Sequence, residues 1–471
     1  MKPFAHQEKA IKEAIYNLTT CRFHALFMEI GTGKSKTIID IAQEMYTRGL
    51  IDAVIISAPK SLVGTWREQH SIHAYDSKFI AFDSSKSKST KWQDEFYYIM
   101  NSDMLPYFFI NTEAFQTMPK ILTQSLNDFL IIKPNVLLVI DESSDIKSPN
   151  ANRSKNLTKF GIRCRYRMIS TGTEITNSVL DLYQQFEFLN PGFWGFKSFY
   201  FFKNYYAILE ERYLSGGRTF KEIIGFRKLN ELQDRIKPYI SRARKADCLD
   251  LPKKIYANMP VKMEGESARI YKEMKNNLIS MLDDGTIISV SNKIGLFMKF
   301  RQIVGGTLAE KGIIDSHPSK LQALVGEIED SSEQAIIWCC FREEIDLLMD
   351  SFGKIAVRFD GATMEKDRQL AVEEFVLGKK RLFIANPAVA GQGINLQSCH
   401  LQYWYSLPTS AKQLEQAEGR NHRAGQTETC VYKKILCENT VDYRIAQILE
   451  EKKDIMSTFR EGTVSDIIDL I

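Results

Sequence analysis

Residues Met28 to Ser35 read MEIGTGKS, a spacing suited to phosphate. Gly31 and Gly33 let backbone N–H groups approach anionic oxygens, with Thr32 between them. Lys34 can neutralise the outer phosphates, and the Ser35 hydroxyl can ligate Mg2+. A plainer reading is a glycine turn before a helix, and the first glycine of the GxxxxGK[ST] pattern is replaced by Met28. Asp141-Glu142 follow directly on the apolar run Val136 to Ile140. At the C-terminal end of a buried strand, Asp141 is placed to hold Mg2+ and Glu142 to orient an attacking water; the alternative is a capping pair for the next helix. Far along the chain, Gln416 to Gln426 read QAEGRNHRAGQ. On a helix, Arg420 and Arg423 would share one face and reach a γ-phosphate, or else form a solvated basic face paired with Glu415 and Glu418.

The elements that must position these groups are legible as short apolar runs. Ala53 to Ser57, Val136 to Ile140, Gln334 to Cys339 and Leu382 to Ala385 lack polar alternation, as strands buried on both faces do, and Phe23 to Met28 before the glycine turn is strand-like. Each is followed by a turn and a helical pattern, such as Thr37 to Tyr46. This predicts an α/β fold with parallel sheets covered by helices. Residues 180 to 240 are rich in aromatics, Phe193, Trp194, Phe199, Phe202 and Tyr206 among them, and are expected as helices packing on one another rather than as a base-stacking platform. Residues 265 to 303 are also expected to be helical, broken at Asp283-Asp284-Gly285.

Length and composition set the frame. At 471 residues the chain exceeds the roughly 250 to 300 at which single cores stop growing, so two domains are expected. The predicted division is 1–240, a basic linker at 241–254, and 255–471. With 44% hydrophobic and 25% charged residues, the chain is not a disordered one. Neither a span of about 18 apolar residues nor a signal-peptide pattern occurs, so a cytoplasmic location is expected. The eight cysteines show no CxxC pair, which speaks for reduced thiols and against structural zinc. The net charge is only +4, so a nucleic-acid partner must be argued locally. Lys237 to Lys254 carries six Lys/Arg against two Asp, a surplus equal to that of the whole chain. Arg242, Arg244 and Lys245 are its centre, and a solvated linker is the alternative reading.

Order along the chain adds a further reading. Phe4 to Gln7 (FAHQ), MEIGTGKS, Ile56 to Trp66 (ISAPKSLVGTW), Asp141 to Ser148 (DESSDIKS), Ser170 to Ser178 (STGTEITNS), Phe359 to Thr363 (FDGAT), Asn386 to Leu396 (NPAVAGQGINL) and QAEGRNHRAGQ occur in that sequence. Together they resemble the superfamily-two helicases and, within them, the Swi/Snf-like DNA-dependent ATPases. Arg167 to Pro191, Ile236 to Pro252 and Phe300 to Gly306 (FRQIVGG) resemble the same group.

The resemblance implies two RecA-like lobes with helical insertions near their junction, ATP and Mg2+ as cofactors, and duplex DNA bound with low sequence preference. It implies that Gln7 reads adenine, that Gly31, Thr32, Gly33, Lys34, Ser35 and Gly393 bind nucleotide, and that Ser35 and Asp141 hold the metal. Glu142, Gln416, Arg420 and Arg423 would complete catalysis. Lys60, Thr112, Thr173 and Asn395 would touch DNA together with Arg242, Arg244 and Lys245. Ser144 stands where the family usually has His, Glu174 where it has Pro, and Asn386-Pro387 where it has Ser-Thr. The expected function is an ATP-driven translocase on double-stranded DNA, monomeric and without a legible nuclease, zinc or histone-reading module, which suits a compact viral or bacterial DNA-processing role. Alternatives are a strand-separating or branch-migrating helicase and a non-hydrolysing DNA-binding scaffold.

Overall fold

A computed structural model describes residues 2–172, 178–213, 219–248, 250–283, 290–390 and 394–451. In chain order the strands are β1 Phe23–Met28, β2 Ala53–Ala58, β3 Ser77–Ala81, β4 Leu105–Asn111, β5 Val136–Asp141, β6 Tyr166–Thr171, β7 Ala207–Tyr213, β8 Thr219–Phe226 and β9 Ile240–Ala243. Then follow β10 Lys254–Val261, β11 Thr307–Leu308, β12 Gly312–Ile313, β13 Ala335–Trp338, β14 Ala356–Phe359, β15 Leu382–Ala385, β16 Leu401–Trp404 and β17 Cys430–Cys437. The chain divides into two compact units, Met1–Leu249 and Asp250–Ile471.

The first unit is built on a seven-stranded sheet in the order β3-β4-β2-β5-β6-β1-β9, and every pairing is parallel. Its central strands are apolar at successive positions because both faces are covered. Alternate residues feed two separate cores: Phe23, Ala25, Ile55, Leu138 and Ile140 belong to one, and Leu26, Met28, Val54, Ile56, Leu137 and Val139 to the other. Burying each large side chain contributes about 1.5 to 3 kcal/mol, so a one-residue slip would misplace both cores together.

The second unit repeats the design with a six-stranded parallel sheet, β10-β17-β16-β13-β15-β14. Ile336, Trp338, Phe383 and Ala385 enter one core, and Ala335, Ile337, Leu382 and Ile384 the other. The helical pattern over 265–303 appears as helices Gly265–Asp283 and Val290–Val304. The rest of the expected turn, Asp284-Gly285, lies outside the described residues.

The aromatic stretch requires a correction. Helices Leu182–Leu189, Phe199–Tyr206 and Leu229–Ile236 form as expected, but β7 and β8 between them make an antiparallel hairpin. Between the two strands the sequence reads Gly216-Gly217, a turn signal set within the aromatic run. The packing reading of the aromatics holds for most of them. Trp194 is fully buried among Phe186, Phe193 and Phe202, with its Nε1 donating to the Tyr183 carbonyl at 3.0 Å. Tyr200 and Phe201 are exposed.

At the ends of the basic stretch, β9 pairs with β1 at the edge of the first sheet, and β10 pairs with β17 at the edge of the second. Among the described residues no helix is long and apolar enough to cross a membrane.

Candidate nucleotide site and basic edge

β1 runs out at Met28 into the MEIGTGKS turn, and the helix Lys34–Thr47 starts immediately after it. Gly31 and Gly33 have φ of 89° and 87°, a region open to glycine at little cost. The unpaired N–H groups and positive dipole end of a 14-residue helix therefore open onto the turn. Thr32 closes the loop from inside, its hydroxyl donating to the Glu29 carbonyl at 2.7 Å. The Lys34 ammonium donates to the Met28 carbonyl at 3.1 Å, and a Cβ at Gly172, just past β6, would lie 3.3 Å from it.

Gln7 braces this loop. Its Oε1 accepts from the Phe4 N–H at 2.9 Å and its Nε2 donates to the Thr32 carbonyl at 3.2 Å. A Cβ on Gly33 would fall 2.0 Å from that Nε2, so a larger residue there would displace the Gln7 amide from its brace, and the positive φ favours glycine besides. Both ends of the amide expected to read adenine are thus engaged within the protein. The His6 Nε2 lies 2.9 Å from the same Thr32 carbonyl, a brace to which sequence reasoning gave no role.

Asp141 is the last residue of β5 and is buried. Its Oδ2 accepts from the Trp66 indole at 3.0 Å and its Oδ1 from the Glu142 N–H at 3.1 Å. Burial, and then the neighbouring Glu142 charge, raise its carboxyl above the ordinary carboxylate range, with Lys34 opposing. Glu142 sits in the left-handed region at φ 56°, which costs on the order of 1 kcal/mol or more for a residue with a Cβ. Trp66 was legible only as the end of ISAPKSLVGTW; its role as donor to Asp141 was not.

The donor set fits a Mg2+ ion. The buried Asp141 carboxylate and the half-buried Ser35 hydroxyl are hard oxygen ligands, and a dication would offset the charge that burial disfavours. Among the described residues there is no group of three or more His, Cys, Asp or Glu able to hold a metal alone. Mg2+ characteristically takes one or two carboxylates and completes its shell with water and phosphate.

In the second unit, the helical reading of the arginine segment is corrected. The helix Ala411–Glu418 stops before Gly419, and residues 419–425 form turns, so Arg420 and Arg423 do not share a helix face. Arg420 is buried, donating from Nε to the Gln416 carbonyl at 3.0 Å and from Nη1 to the Ile394 carbonyl at 3.2 Å. Gln426 Nε2 donates to the Gln397 carbonyl at 3.0 Å, so the arginine loop is fastened to the segment that begins at Asn386. Gln416 is buried, Arg423 partly exposed and Asn395 exposed. Glu418, a partner of the arginines only in the alternative reading of a solvated basic face, accepts from Lys254 Nζ at 2.9 Å and Tyr256 OH at 2.8 Å. That pairing engages one charge of the basic stretch.

The DNA candidates are placed unequally. Arg242 and Arg244 alternate outward on the exit of β9 and are exposed, Lys245 is half-buried, and Lys60 is exposed. Thr112 is buried, with its hydroxyl 3.2 Å from that of Ser57. Thr173, Glu174 and Gly393 lie outside the described residues. Ser144 is buried. Asn386 caps the short helix Pro387–Ala390: its Oδ1 accepts from the Ala388 N–H at 2.9 Å, its Nδ2 donates to the Cys340 carbonyl at 3.0 Å, and Pro387 suits the first helical position.

The chain matches the SNF2-related domain over residues 6–310 and the helicase conserved C-terminal domain over residues 319–425. It is 24% identical over 442 residues to an uncharacterized ATP-dependent helicase of Mycoplasma pneumoniae, covering 91% of this chain and 39% of that protein. It is 23% identical to Protein CHROMATIN REMODELING 4 of Arabidopsis thaliana, over 99% of this chain and 22% of that one. Against the uncharacterized ATP-dependent helicase YqhH of Bacillus subtilis it is 22% identical, over 100% of this chain and 81% of that protein. The chain thus spans well under half the length of the first two. Among solved structures, the Sulfolobus solfataricus SWI2/SNF2 ATPase core in complex with dsDNA is 21% identical, with a TM-score of 0.43 and coverage of 100% of this chain and 97% of that one.

Proposed function

The chain belongs to the SNF2-related family, and on that premise we propose that it is an ATP-hydrolysing motor that translocates along double-stranded DNA. The observation that carries this reading is the juxtaposition, at the C-terminal ends of parallel strands β1, β6 and β5, of the glycine cradle with Lys34, Gly172 and Asp141-Glu142. The curated relatives named as ATP-dependent helicases support the same activity.

In this reading the cradle N–H groups and Lys34 bind the outer phosphates of ATP, and Ser35 and Asp141 hold Mg2+. The ion, when bound, supplies positive charge against the transferring phosphoryl group. Glu142 orients the attacking water and accepts its proton; in the second unit Arg420 and Arg423 supply the positive charge suited to a transition-state phosphoryl group, and Gln416 a hydrogen-bonding amide. Arg242, Arg244, Lys245 and Lys60 grip backbone phosphates, which position a protein without reading sequence. The test is ATP turnover with duplex, single-stranded and forked DNA and with RNA at two salt concentrations. Stimulation by duplex is expected, and unwinding of forks without displacement of a third strand would point to a strand-separating helicase instead. Arg423→Ala should lower turnover by roughly 1,000-fold or more while leaving DNA binding in place.

A further inference from the structure

Glu29 belongs by sequence to the nucleotide cradle, yet its bonds reach out of it. Its carbonyl accepts from the Thr32 N–H at 3.2 Å and from the Thr32 hydroxyl at 2.7 Å. Its own N–H donates to the Ala243 carbonyl at 2.9 Å, continuing the β1–β9 ladder one step past Met28. Its carboxylate Oε2 accepts from the backbone N–H of Lys245 at 2.9 Å. One residue is therefore bonded on one side by the loop between Gly31 and Gly33, and on the other by the two residues that flank Arg244. The exposed Arg242 and Arg244 belong to this same short length of chain.

The edge strand is also fastened further back. The Asn17 amide donates to His24 Nδ1 at 3.0 Å and to the Pro238 carbonyl at 2.9 Å, so His24 carries its proton on Nε2 and donates to Ser241 Oγ at 3.1 Å. The Ser241 hydroxyl in turn donates to Glu13 Oε2 at 2.5 Å. The helix that bears Asn17 and Glu13 also bears His6 and Gln7, which brace Thr32 from the other side. β9 is thus held to the two elements that shape the cradle. Glu29 is the residue in which the ties from β9 and from Thr32 meet.

We propose that Glu29 is a positioning residue that couples DNA phosphate on the Arg242–Lys245 edge to the geometry of the nucleotide cradle. This rests on the reading of the chain as a DNA-dependent ATPase. A phosphate drawn to Arg242 and Arg244 loads the backbone between Ala243 and Lys245; Glu29 carries that load to Thr32 through its N–H, its carboxylate and its carbonyl. Coupling of this kind is reciprocal in binding, so a nucleotide in the cradle changes the affinity of the edge for DNA by the same factor that DNA changes affinity for nucleotide.

The test uses the full chain and five proteins: wild type, Glu29→Ala, Glu29→Gln, Lys245→Ala and Lys245→Pro. The readouts are the ratio of turnover with a short duplex to turnover without it, and the change in duplex affinity on adding a non-hydrolysable ATP analogue with Mg2+. Glu29→Ala should lower both by about 10-fold. Glu29→Gln, which keeps an acceptor oxygen, should restore most of each. Proline suits the first position of the helix Lys245–Cys248 but lacks the N–H that Glu29 accepts, whereas alanine keeps it. Lys245→Pro should therefore lose the coupling and Lys245→Ala should keep it while binding DNA more weakly. The proposal is overturned if turnover with and without DNA falls by one common factor in Glu29→Ala, or if the two Lys245 variants behave alike. If Glu29→Ala does not fold, the Lys245 pair decides. Wild-type turnover indifferent to DNA overturns the underlying reading, and this proposal with it; intact stimulation in all variants overturns the coupling alone.

Discussion

Each unit buries an acid near the C-terminal ends of its central strands, and the two acids are treated in opposite ways. Asp141, at the end of β5, has a second carboxylate as its immediate neighbour, and two donors, Trp66 and the Glu142 N–H, engage its oxygens. Glu344, on the helix after β13, receives the Ser406 hydroxyl at 2.5 Å and the Phe341 N–H at 3.3 Å. Lys320 and Arg301 add favourable charge around it. Burial raises both acids, Glu344 to about 7. The difference lies in what closes the site. The second unit encloses its acid among its own groups: both bonds fall on Oε2, while Oε1 has no hydrogen-bond partner among the described residues and faces Gly305 so closely that a Cβ there would meet it at 2.3 Å. The first unit instead sets a like charge beside its acid, an arrangement that a bound cation would relieve. Similar sheets thus carry a prepared site at one edge and a closed polar interior at the other.

The contrast can be broken most sharply at the first edge. Lys34→Ala and Asp141→Asn should each cut turnover by about 100- to 1,000-fold, measured in steady state with saturating duplex. Glu344→Gln should leave turnover near wild type, and an equal loss there would erase the distinction between the two acids.

Stability against pH gives the next effect. A carboxyl whose folded pKa is raised binds its proton more tightly when folded. Its contribution is therefore complete below the ordinary range and is lost as pH rises through about 7 for Glu344. Chemical denaturation should show about 3 kcal/mol of stability lost over that window, and Glu344→Gln should flatten the slope. Gly305→Ala should cost about 1 to 3 kcal/mol by overpacking against Glu344, read as a lowered denaturation midpoint. The smallest change is Thr112→Val, which removes one hydroxyl bonded to Ser57 and should cost about 1 kcal/mol. A fall in DNA affinity at unchanged stability would instead assign Thr112 to the DNA surface.

Much of the fold could be read from the sequence because strands buried on both faces must be apolar throughout, as AVIIS and VLLVI are. The cradle could be read because glycine, lysine and serine each have a separate reason to occupy their places. The hairpin β7–β8 was hidden among aromatic residues whose helical spacing dominated the pattern. The arginine segment misled because a three-residue spacing suggests a helix face, and only the turn at Gly419 shows that the helix has ended. Trp66, His6 and Glu29 were invisible as site residues for a different reason. Their significance lies in contacts with Asp141, Thr32 and Lys245, which are 75, 26 and 216 residues away along the chain.

The placement of β1 has a consequence for how the first unit is made. β1 is among the first elements of the chain, yet its sheet neighbours are β6 and β9. On a ribosome adding about 5 to 20 residues per second, β1 waits many seconds with both edges open, and its pairing with β9 is the last of the sheet to form. An apolar strand with open edges invites pairing with other chains. Nascent chains stalled or cleaved before Ile240 should therefore be the aggregation-prone species, and a chaperone that shields Phe23–Met28 during synthesis should raise the yield of folded protein.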